Sequence, residues 1–342
     1  MKKVAILIVN YNGQQYLPDL LESVFKYRPQ SVFFETIVVD NASIDDSVAW
    51  LVKNYPQVTL LKQSENFGFA GGNNIGIKYA LNKGYDYVML LNQDTVVSQG
   101  YLDKLIEKIE AVPAAAAVQP KLLLYPLTDL VNSLGNVIHY LGFGYTAAKP
   151  ILNNEVNYCS GAACLISAAA FKKVGLFNEE LFMYHEDLDL GWRFRLRGYK
   201  NLVEPKSAVY HKYEFSRSIK KYYFLERNRF MVILQNYKIG TLVLILPALI
   251  LMELGLFLFS FSNGWWLEKL KVYRYFFSLK NWQKIFKTRK QIQGHRSRPD
   301  RLIVKDFAGT IEHQEINSPL VACLVNPLFN AYWRIIKPLI LW

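Results

Sequence analysis

The first ninety residues alternate between two patterns. Short unbroken apolar runs appear at Val4–Val9, Thr36–Val39, Val58–Leu61 and Tyr87–Leu91. Between them the apolar residues recur at helical spacing, over Tyr16–Tyr27, Asp45–Asn54 and about Asn74–Asn82. Runs that do not alternate are strands buried on both faces, and strands separated by helices need crossovers. The pattern therefore predicts an α/β fold: a mostly parallel sheet with flanking helices and right-handed connections. From Pro113 to Asn157 the pattern breaks into short Gly- and Pro-containing strands. Cys159–Ser167 then reads as a small-residue strand, Ala168–Val174 as a helix, and Arg217–Tyr237 as a long basic-aromatic helix. No internal repeat or low-complexity tract is present.

The last third differs. Ile239–Phe261 is almost wholly apolar, with one charge, Glu253, and one proline, Pro247. It is long enough to cross a hydrocarbon core of about 30 Å, and Trp265 and Trp266 follow it as an interfacial pair would. Positive charge stands on both sides: Lys220, Lys221, Arg227, Arg229 and Lys238 before it, and Lys269, Lys271, Arg274, Lys280, Lys284, Lys287, Arg289 and Lys290 after it. Both flanks are thus expected on the cytoplasmic side, with a re-entrant hairpin broken near Pro247 or an in-plane helix pair. Trp265–Lys290 interleaves aromatic and basic residues as an interfacial helix does, and Leu320–Trp342 is a second apolar stretch.

Charge sharpens this division. Of a formal +12, residues 1–236 carry 25 Lys and Arg against 22 Asp and Glu, whereas residues 237–342 carry 15 against 6. A basic region invites an anionic partner. Beside a long apolar run, a membrane surface is the expected one, and no nucleic acid. The expected domains are 1–236, catalytic, and 237–342, helical and membrane-associated. At 51% apolar and 15% aromatic residues, extended disorder is not expected. The three cysteines, Cys159, Cys164 and Cys323, lack metal spacing and are expected as reduced, buried thiols of a cytosolic compartment. The apolar run near the N-terminus is too short for a secretory h-region and reads as the first strand.

Open parallel sheets bind ligands at the carboxyl ends of their strands. All four early strands end in polar turns: Asn10-Tyr11-Asn12-Gly13, Asp40-Asn41-Ala42-Ser43, the stretch from Asn66 through Gly68 to Asn73 and Asn74, and Asn92-Gln93-Asp94-Thr95. One such ending is ordinary turn chemistry; four on one edge suggest a single polar site. Asp40 and Asp94 could accept hydrogen bonds from a nucleotide or bind a hard cation. Neither a P-loop nor a properly placed G-x-G-x-x-G is present, so an ATPase or dehydrogenase is not supported.

Taken in order, VAILIVNYNG, ETIVVDNASIDDS, NFGFAGGNNIGI, YVMLLNQDT, SGAACLI, HEDLDLGWRFRLRGY and AVYH resemble the inverting family-2 glycosyltransferases of the GT-A fold, nearest the bacterial rhamnosyltransferase-like branch that builds surface polysaccharides. The resemblance covers residues 3–236. It implies that Asn10 and Asn12 line a nucleotide pocket, that Asp40 holds base or ribose beside Asn41 and Ser43, and that Asn66 and Asn73 flank base and sugar. It implies Asp94 as ligand of Mg2+ or Mn2+ on the diphosphate, His211 in support, and Asp187 as general base. Tyr11, Gly68, Asn92, Gln93 and Trp192 complete the expected substrate set. Asn92 and Gln93 depart from the family's acidic pattern and leave one firm carboxylate ligand.

Glu186, Asp187 and Asp189 stand at the front of the helix expected within Met183–Tyr199. A helix dipole favours acidic residues there, Asp189 can pair with Arg193 one turn on, and Gly198 suits the helix end. The adjacent pair Glu186 and Asp187 is less simply explained, because neighbouring carboxylates raise one another's pKa, as a general base near neutral pH requires. Asp187 is the expected base, Asp189 its rival, and Glu186 shapes the acceptor end. The expected reaction passes a sugar from a nucleotide-diphosphate donor, dTDP-rhamnose first and a UDP-hexose second, to a glycan or lipid-diphosphate-linked acceptor at the cytoplasmic face of the cell membrane. The rival reading is a non-catalytic membrane scaffold that keeps a nucleotide-binding GT-A domain. A pyrophosphorylase would need a Gly-rich, Lys-containing loop near the N-terminus, which the sequence lacks.

Overall fold

A computed structural model describes residues 1–126, 130–147, 154–212, 219–312 and 321–342. The chain forms two compact units. The first comprises Met1–Asn136, Thr146–Phe194 and Tyr199–Glu214; the second comprises Val137–Tyr145, Arg195–Gly198 and Phe215–Trp342. The structural division thus precedes the one expected at residue 236.

The strands are β1 (Lys3–Asn10), β2 (Phe33–Asp40), β3 (Thr59–Lys62), β4 (Tyr87–Asn92), β5 (Thr95–Val97), β6 (Ala115–Leu124), β7 (Val131–Ser133), β8 (Asn136–Ile138), β9 (Gly144–Thr146), β10 (Glu155–Val156), β11 (Ala163–Ser167) and β12 (Lys200–His211). Among the described residues they form one ten-stranded sheet, with the path β10-β12-β6-β11-β4-β1-β2-β3 and with β5 and β7 as side pairings, plus a separate β8–β9 pair. β4, β1, β2 and β3 run parallel, and β11 enters antiparallel between β4 and β6.

The helices of the first unit are α1 (Leu17–Lys26), α2 (Ser47–Asn54), α3 (Gly68–Asn82), α4 (Tyr101–Ala111), α5 (Ala168–Val174) and α6 (Glu186–Leu196), the last reaching into the second unit. Alternate residues of β1 serve opposite faces, as the strand's twofold period requires. Val4, Ile6 and Ile8 pack with Leu17, Leu20 and Leu102, whereas Ala5 and Leu7 pack with Ala70, Ile77 and Phe194. Helices therefore cover both faces of the sheet, and its parallel strands leave their carboxyl ends on one edge.

One helix begins earlier than its sequence suggests. α3 starts at Gly68, not near Asn74, so the Gly-rich stretch is its first turns and not a loop. Gly68 has φ +68° and a Cβ there would collide with Phe182; a Cβ at Gly76 would collide with Leu7 of β1. These glycines cost helix propensity, but they let the helix lie close on the sheet.

In the second unit α7 (Lys220–Asn236), α8 (Ile239–Ser262), α9 (Trp266–Phe276), α10 (Leu279–His295), α11 (Asp300–Ile303) and α12 (Asn326–Ile336) follow. Residues 217 and 218 of the expected basic helix, and Leu320 of the expected apolar stretch, lie outside the described residues. Two expectations change. α8 continues through Pro247, so no hairpin breaks there: Ile245 and Ala248 are buried on either side of the proline, and the Tyr332 hydroxyl donates to the Leu244 carbonyl (2.8 Å). The stretch Trp265–Lys290 is not one helix but parts of two. Cys159 and Cys164 are buried free thiols, whereas Cys323 is exposed.

Candidate active site

β1 and β2 are in register, with Asn10 opposite Asp40. Asn10 Nδ2 donates to Asp40 Oδ1 (2.9 Å), Ser43 Oγ (3.0 Å) and Ser47 Oγ (2.9 Å). Ser43 Oγ also accepts from the Asn12 amide (3.0 Å), and Asn12 Oδ1 accepts from the Ile44 amide (2.9 Å). The turns after the first two strands are thereby fastened to each other. A third turn joins them: Asn41 Nδ2 donates to Asn66 Oδ1 (2.9 Å) and to the Gly68 carbonyl (3.0 Å), while Asn41 Oδ1 accepts from the Phe67 amide (3.0 Å). Asn10, Asp40 and Asn41 are buried and build the floor. Tyr11 and Asn66 are exposed at its rim.

Asn73 is also buried, but its amide donates to the Phe69 carbonyl in its own helix (2.9 Å). The next residue is a tie of wider reach. Asn74 donates to the Phe177 carbonyl and Glu179 Oε1, both at 2.9 Å, and accepts from the Phe177 amide (3.0 Å).

After β4, Gln93 Oε1 accepts from the Tyr11 amide (2.9 Å) and Gln93 Nε2 donates to the Tyr11 carbonyl (3.2 Å). This pair of hydrogen bonds to the backbone needs a group that both accepts and donates, which an ionised carboxylate cannot do. The departure from the acidic pattern at this position thus has a structural use. Asp94 differs. Its Oδ1 is buried without a hydrogen-bond donor and lies 3.3 Å from His211 Nε2. β5 brings the two together, since Thr95 pairs with His211 across β5 and β12. Among the described residues no three His, Cys, Asp or Glu side chains converge on one point. Asp94 and His211 thus offer a partial shell, which fits a divalent cation that keeps its other positions for phosphate oxygens and water.

The carboxylates of α6 separate by helical phase. Asp189 is fully buried and paired with Arg193 at 2.8 Å, and the same guanidinium donates to the Leu176 carbonyl (2.8 Å). Asp189 anchors the helix and is unavailable to a substrate. Trp192, expected to line the site, is wholly buried and presents no surface to a substrate in this structure. Asp187 is partly exposed. Its Oδ2 accepts from the Gly161 amide (3.1 Å) and its Oδ1 from the Leu188 amide (2.7 Å). Burial raises its pKa and these amides oppose the rise. Glu186 is buried with Oε2 lacking a donor. Burial, then the neighbouring Asp187, push its carboxyl well above the ordinary range.

The backbone before α6 explains how this pair is presented. Phe182, Tyr184 and His185 have φ of 63°, 66° and 67°, left-handed values that cost bulky residues roughly 1–3 kcal/mol each. Asn12 and Ala42, in the first two strand turns, are left-handed as well. The Phe182 carbonyl accepts from the Ala70 amide (3.1 Å), which fastens this strained loop to the first turn of α3. Asn92 in turn donates its amide to the Ala162 carbonyl (2.9 Å), next to the Gly161 that holds Asp187. Side-chain and backbone hydrogen bonds therefore tie the polar strand turns, Asp94 and Asp187 into one edge. The sequence pattern placed Asn74 in a polar strand ending and Gly161 in a small-residue strand without giving either this role, and did not point to Phe182; three bulky residues in left-handed conformation leave no local signature.

This arrangement is that of a GT-A-like fold, and the chain belongs to glycosyl transferase family 2, whose profile matches residues 5–175. Two relatives are similar in sequence. One is the low-salt glycan biosynthesis hexosyltransferase Agl10 of Haloferax volcanii, 26% identical over 208 aligned residues, in a match that covers 56% of this chain and 61% of the relative. The other is the poly-beta-1,6-N-acetyl-D-glucosamine synthase of Staphylococcus aureus, 27% identical over 207 residues, 60% of this chain and 48% of the relative. The matches thus span less than two thirds of either relative. Among solved structures, GalNAc-T7 with UDP, GalNAc and Mn2+ shares the fold at a TM-score of 0.58 and 16% identity, over 68% of this chain and 48% of that one.

Proposed function

We propose that the chain is an inverting glycosyltransferase that moves one sugar from a nucleoside-diphosphate donor to a hydroxyl of a glycan or lipid-diphosphate-linked acceptor in surface polysaccharide synthesis. The observation that carries this reading is Asp187. It is a partly exposed carboxylate with a raised pKa, held by the Gly161 amide on the same edge as the Asn10, Asp40 and Asn41 floor. A sugar hydroxyl is a poor nucleophile, and a carboxylate at that place can take its proton. As the acceptor oxygen bonds to the anomeric carbon, the bond from that carbon to the diphosphate breaks. The electron pair leaves with the diphosphate, and the proton goes to Asp187. Attack from the face opposite the leaving group inverts the centre.

Asp94 with His211 would hold Mg2+ or Mn2+; when bound, the ion neutralises charge on the departing diphosphate. Asn10, Asn12, Asp40, Asn41 and Ser43 shape the nucleotide end, and Gln93 holds the Tyr11 turn in place. Of the two donor classes that the sequence suggests, the hexose of the second is supported by the hexosyltransferase name of one relative, and dTDP-rhamnose by the branch resemblance alone. The enzyme is placed at the cytoplasmic face of the membrane. The basic second unit and its long apolar helix, Ile239–Ser262, support that placement.

The test is calorimetric binding of dTDP, UDP and GDP, each with and without Mn2+, to the wild type and Asp94→Ala. The expected outcome is one preferred nucleotide, tightened by Mn2+ in the wild type only. Absence of binding by all three would overturn the transferase reading.

A further inference from the structure

α8 is the one described helix long and apolar enough to cross a membrane, yet its neighbours hold it along its whole length. At its start, Asp300 Oδ2 accepts from the Lys238 amide (2.8 Å) and from Thr241 Oγ1 (2.6 Å), while Trp342 Nε1 donates to Thr241 Oγ1 (2.8 Å). One turn on, Tyr332 of α12 binds the Leu244 carbonyl. In its second half Glu253 meets Lys269 Nζ at 2.7 Å and Arg229 at 3.2 Å, and accepts from the Tyr273 hydroxyl (2.7 Å). The rings of Phe257 and Tyr273 lie 6.2 Å apart, and those of Phe261 and Trp266 stack at 5.6 Å. α9 therefore folds back antiparallel on α8 after the turn at Asn263 and Gly264.

A spanning helix could not keep this company. α9 carries Glu268, Lys269, Lys271 and Arg274 in eleven residues, and each charge at the bilayer centre costs about 2.5–3.5 kcal/mol or more. The two faces of α8 also differ. Thr241, Ile245, Ala248, Met252 and Ser260 form the buried face. Ile239, Val243, Leu246, Ile250, Leu254, Leu258 and Phe261 form an opposite stripe at steps of three and four, each between 48% and 69% exposed. This stripe runs about 33 Å at 1.5 Å per residue and carries no polar residue. The unit that displays it is strongly basic, with exposed Arg274, Lys280, Lys287 and Lys290 on α9 and α10.

We propose that α8 does not cross the bilayer but lies flat in one leaflet of an anionic membrane, its exposed stripe among the acyl chains and its buried face fixed to the second unit through Glu253, Asp300 and Tyr332. This rests on the membrane placement proposed above and decides its topology. The occupant is lipid, because the stripe is apolar along its length and the surrounding unit is cationic, the combination that anionic interfaces bind.

Two experiments test it, neither of which needs transferase activity. In the first, purified full chain is floated with vesicles of phosphatidylcholine alone or mixed with phosphatidylglycerol. Binding is expected on the mixed vesicles, and Ile250→Glu/Leu254→Glu is expected to weaken it at least about tenfold, with the circular dichroism spectrum and nucleotide affinity unchanged. In the second, Lys220→Cys and Asn263→Cys, each on a Cys323→Ser background, are labelled with an impermeant maleimide in sealed inside-out and right-side-out membrane vesicles from an expression host. The flat arrangement predicts both sites labelled in inside-out vesicles and neither in right-side-out ones. Labelling of the two sites from opposite sides would overturn the flat arrangement while leaving the membrane placement intact. Failure to float with either vesicle would overturn both. So would a dimer in buffer that the double variant splits, since the stripe would then cover a second copy.

Discussion

Two of the places where the molecule clusters charge treat it in opposite ways. In the second unit Glu226 and Glu253 face Arg229 and Lys269, with Lys269 Nζ 2.5 Å from Glu226 and Arg229 3.0 Å from it. The cations are fully buried and the set is balanced, two against two. Both basic partners hold the Glu226 carboxyl well below its usual range, against the cost of burial. In the first unit Glu186 and Asp187 stand side by side, and burial acts on both, with the Asp187 charge adding to the effect on Glu186. Their pKa values move up instead of down. A balanced buried cluster is architecture, because each charge is answered within the fold. An unbalanced one leaves electrostatic demand to be met from outside, by a proton or a ligand. Asp189 shows the boundary inside a single helix turn: paired with Arg193, it belongs to the first kind although it stands two residues from Asp187.

The strongest way to break this contrast is to neutralise one member of each kind. Asp187→Asn is expected to lower the turnover of sugar transfer by about 10²–10⁴-fold, with nucleoside-diphosphate affinity and thermal midpoint essentially kept. Asp189→Asn should do the reverse, losing stability while the folded fraction keeps its turnover per molecule. Steady-state transfer assays beside thermal melts check both, and equal catalytic losses in the two variants would remove the distinction. In the second unit, Lys269→Met leaves two carboxylates with one cation, and removal of one partner from a buried set costs about 3–5 kcal/mol. Denaturant unfolding should report that loss, with donor binding by the first unit unaltered.

The contrast can also be sharpened through pH. Because Glu186 is raised in the folded state, the native chain holds that proton more tightly than the unfolded chain. Its stabilising contribution is complete below the ordinary value of 4.5 and is lost as pH rises through the folded value. Glu186→Gln should therefore be more stable than the wild type at pH 8 and little different at pH 4, read as the difference between two unfolding curves. The raised Asp187 predicts a matching trend in transfer, with activity lost as pH falls from a higher point than an exposed aspartate would set. The smallest expected effect is at Gln93→Glu. It keeps the acceptor for the Tyr11 amide but loses the donor to its carbonyl, a change of about 1 kcal/mol visible as weaker nucleotide binding.

Particular residues show how far local reading reaches. The four early strands and their polar endings were legible, because unbroken apolar runs and Asn/Asp turns are local features, and parallel pairing then places those endings on one edge. The pairing of Asp189 with Arg193 was also legible, being one helical turn. Trp192 was misplaced because an aromatic residue in an amphipathic stretch does not announce which partner its face meets. The start of α3 was missed because glycine-rich sequence favours loops until the collisions with Leu7 and Phe182 are known.

By itself, then, the sequence determined the α/β order of elements, the acidic front of α6, the lone Asp94 after β4 and a C-terminal region both apolar and basic. Each of these is written in spacings of a few residues. Only the tertiary structure decided that Asp187 is held by the Gly161 amide, that Gln93 braces Tyr11, and that Glu253, the one charge in a helix of membrane-spanning length, is answered by Lys269 and Arg229. The physical reason is the same in each case: these outcomes depend on hydrogen bonds and ion pairs between residues 16 to 82 positions apart, and short-range periodicity carries no record of which distant group arrives.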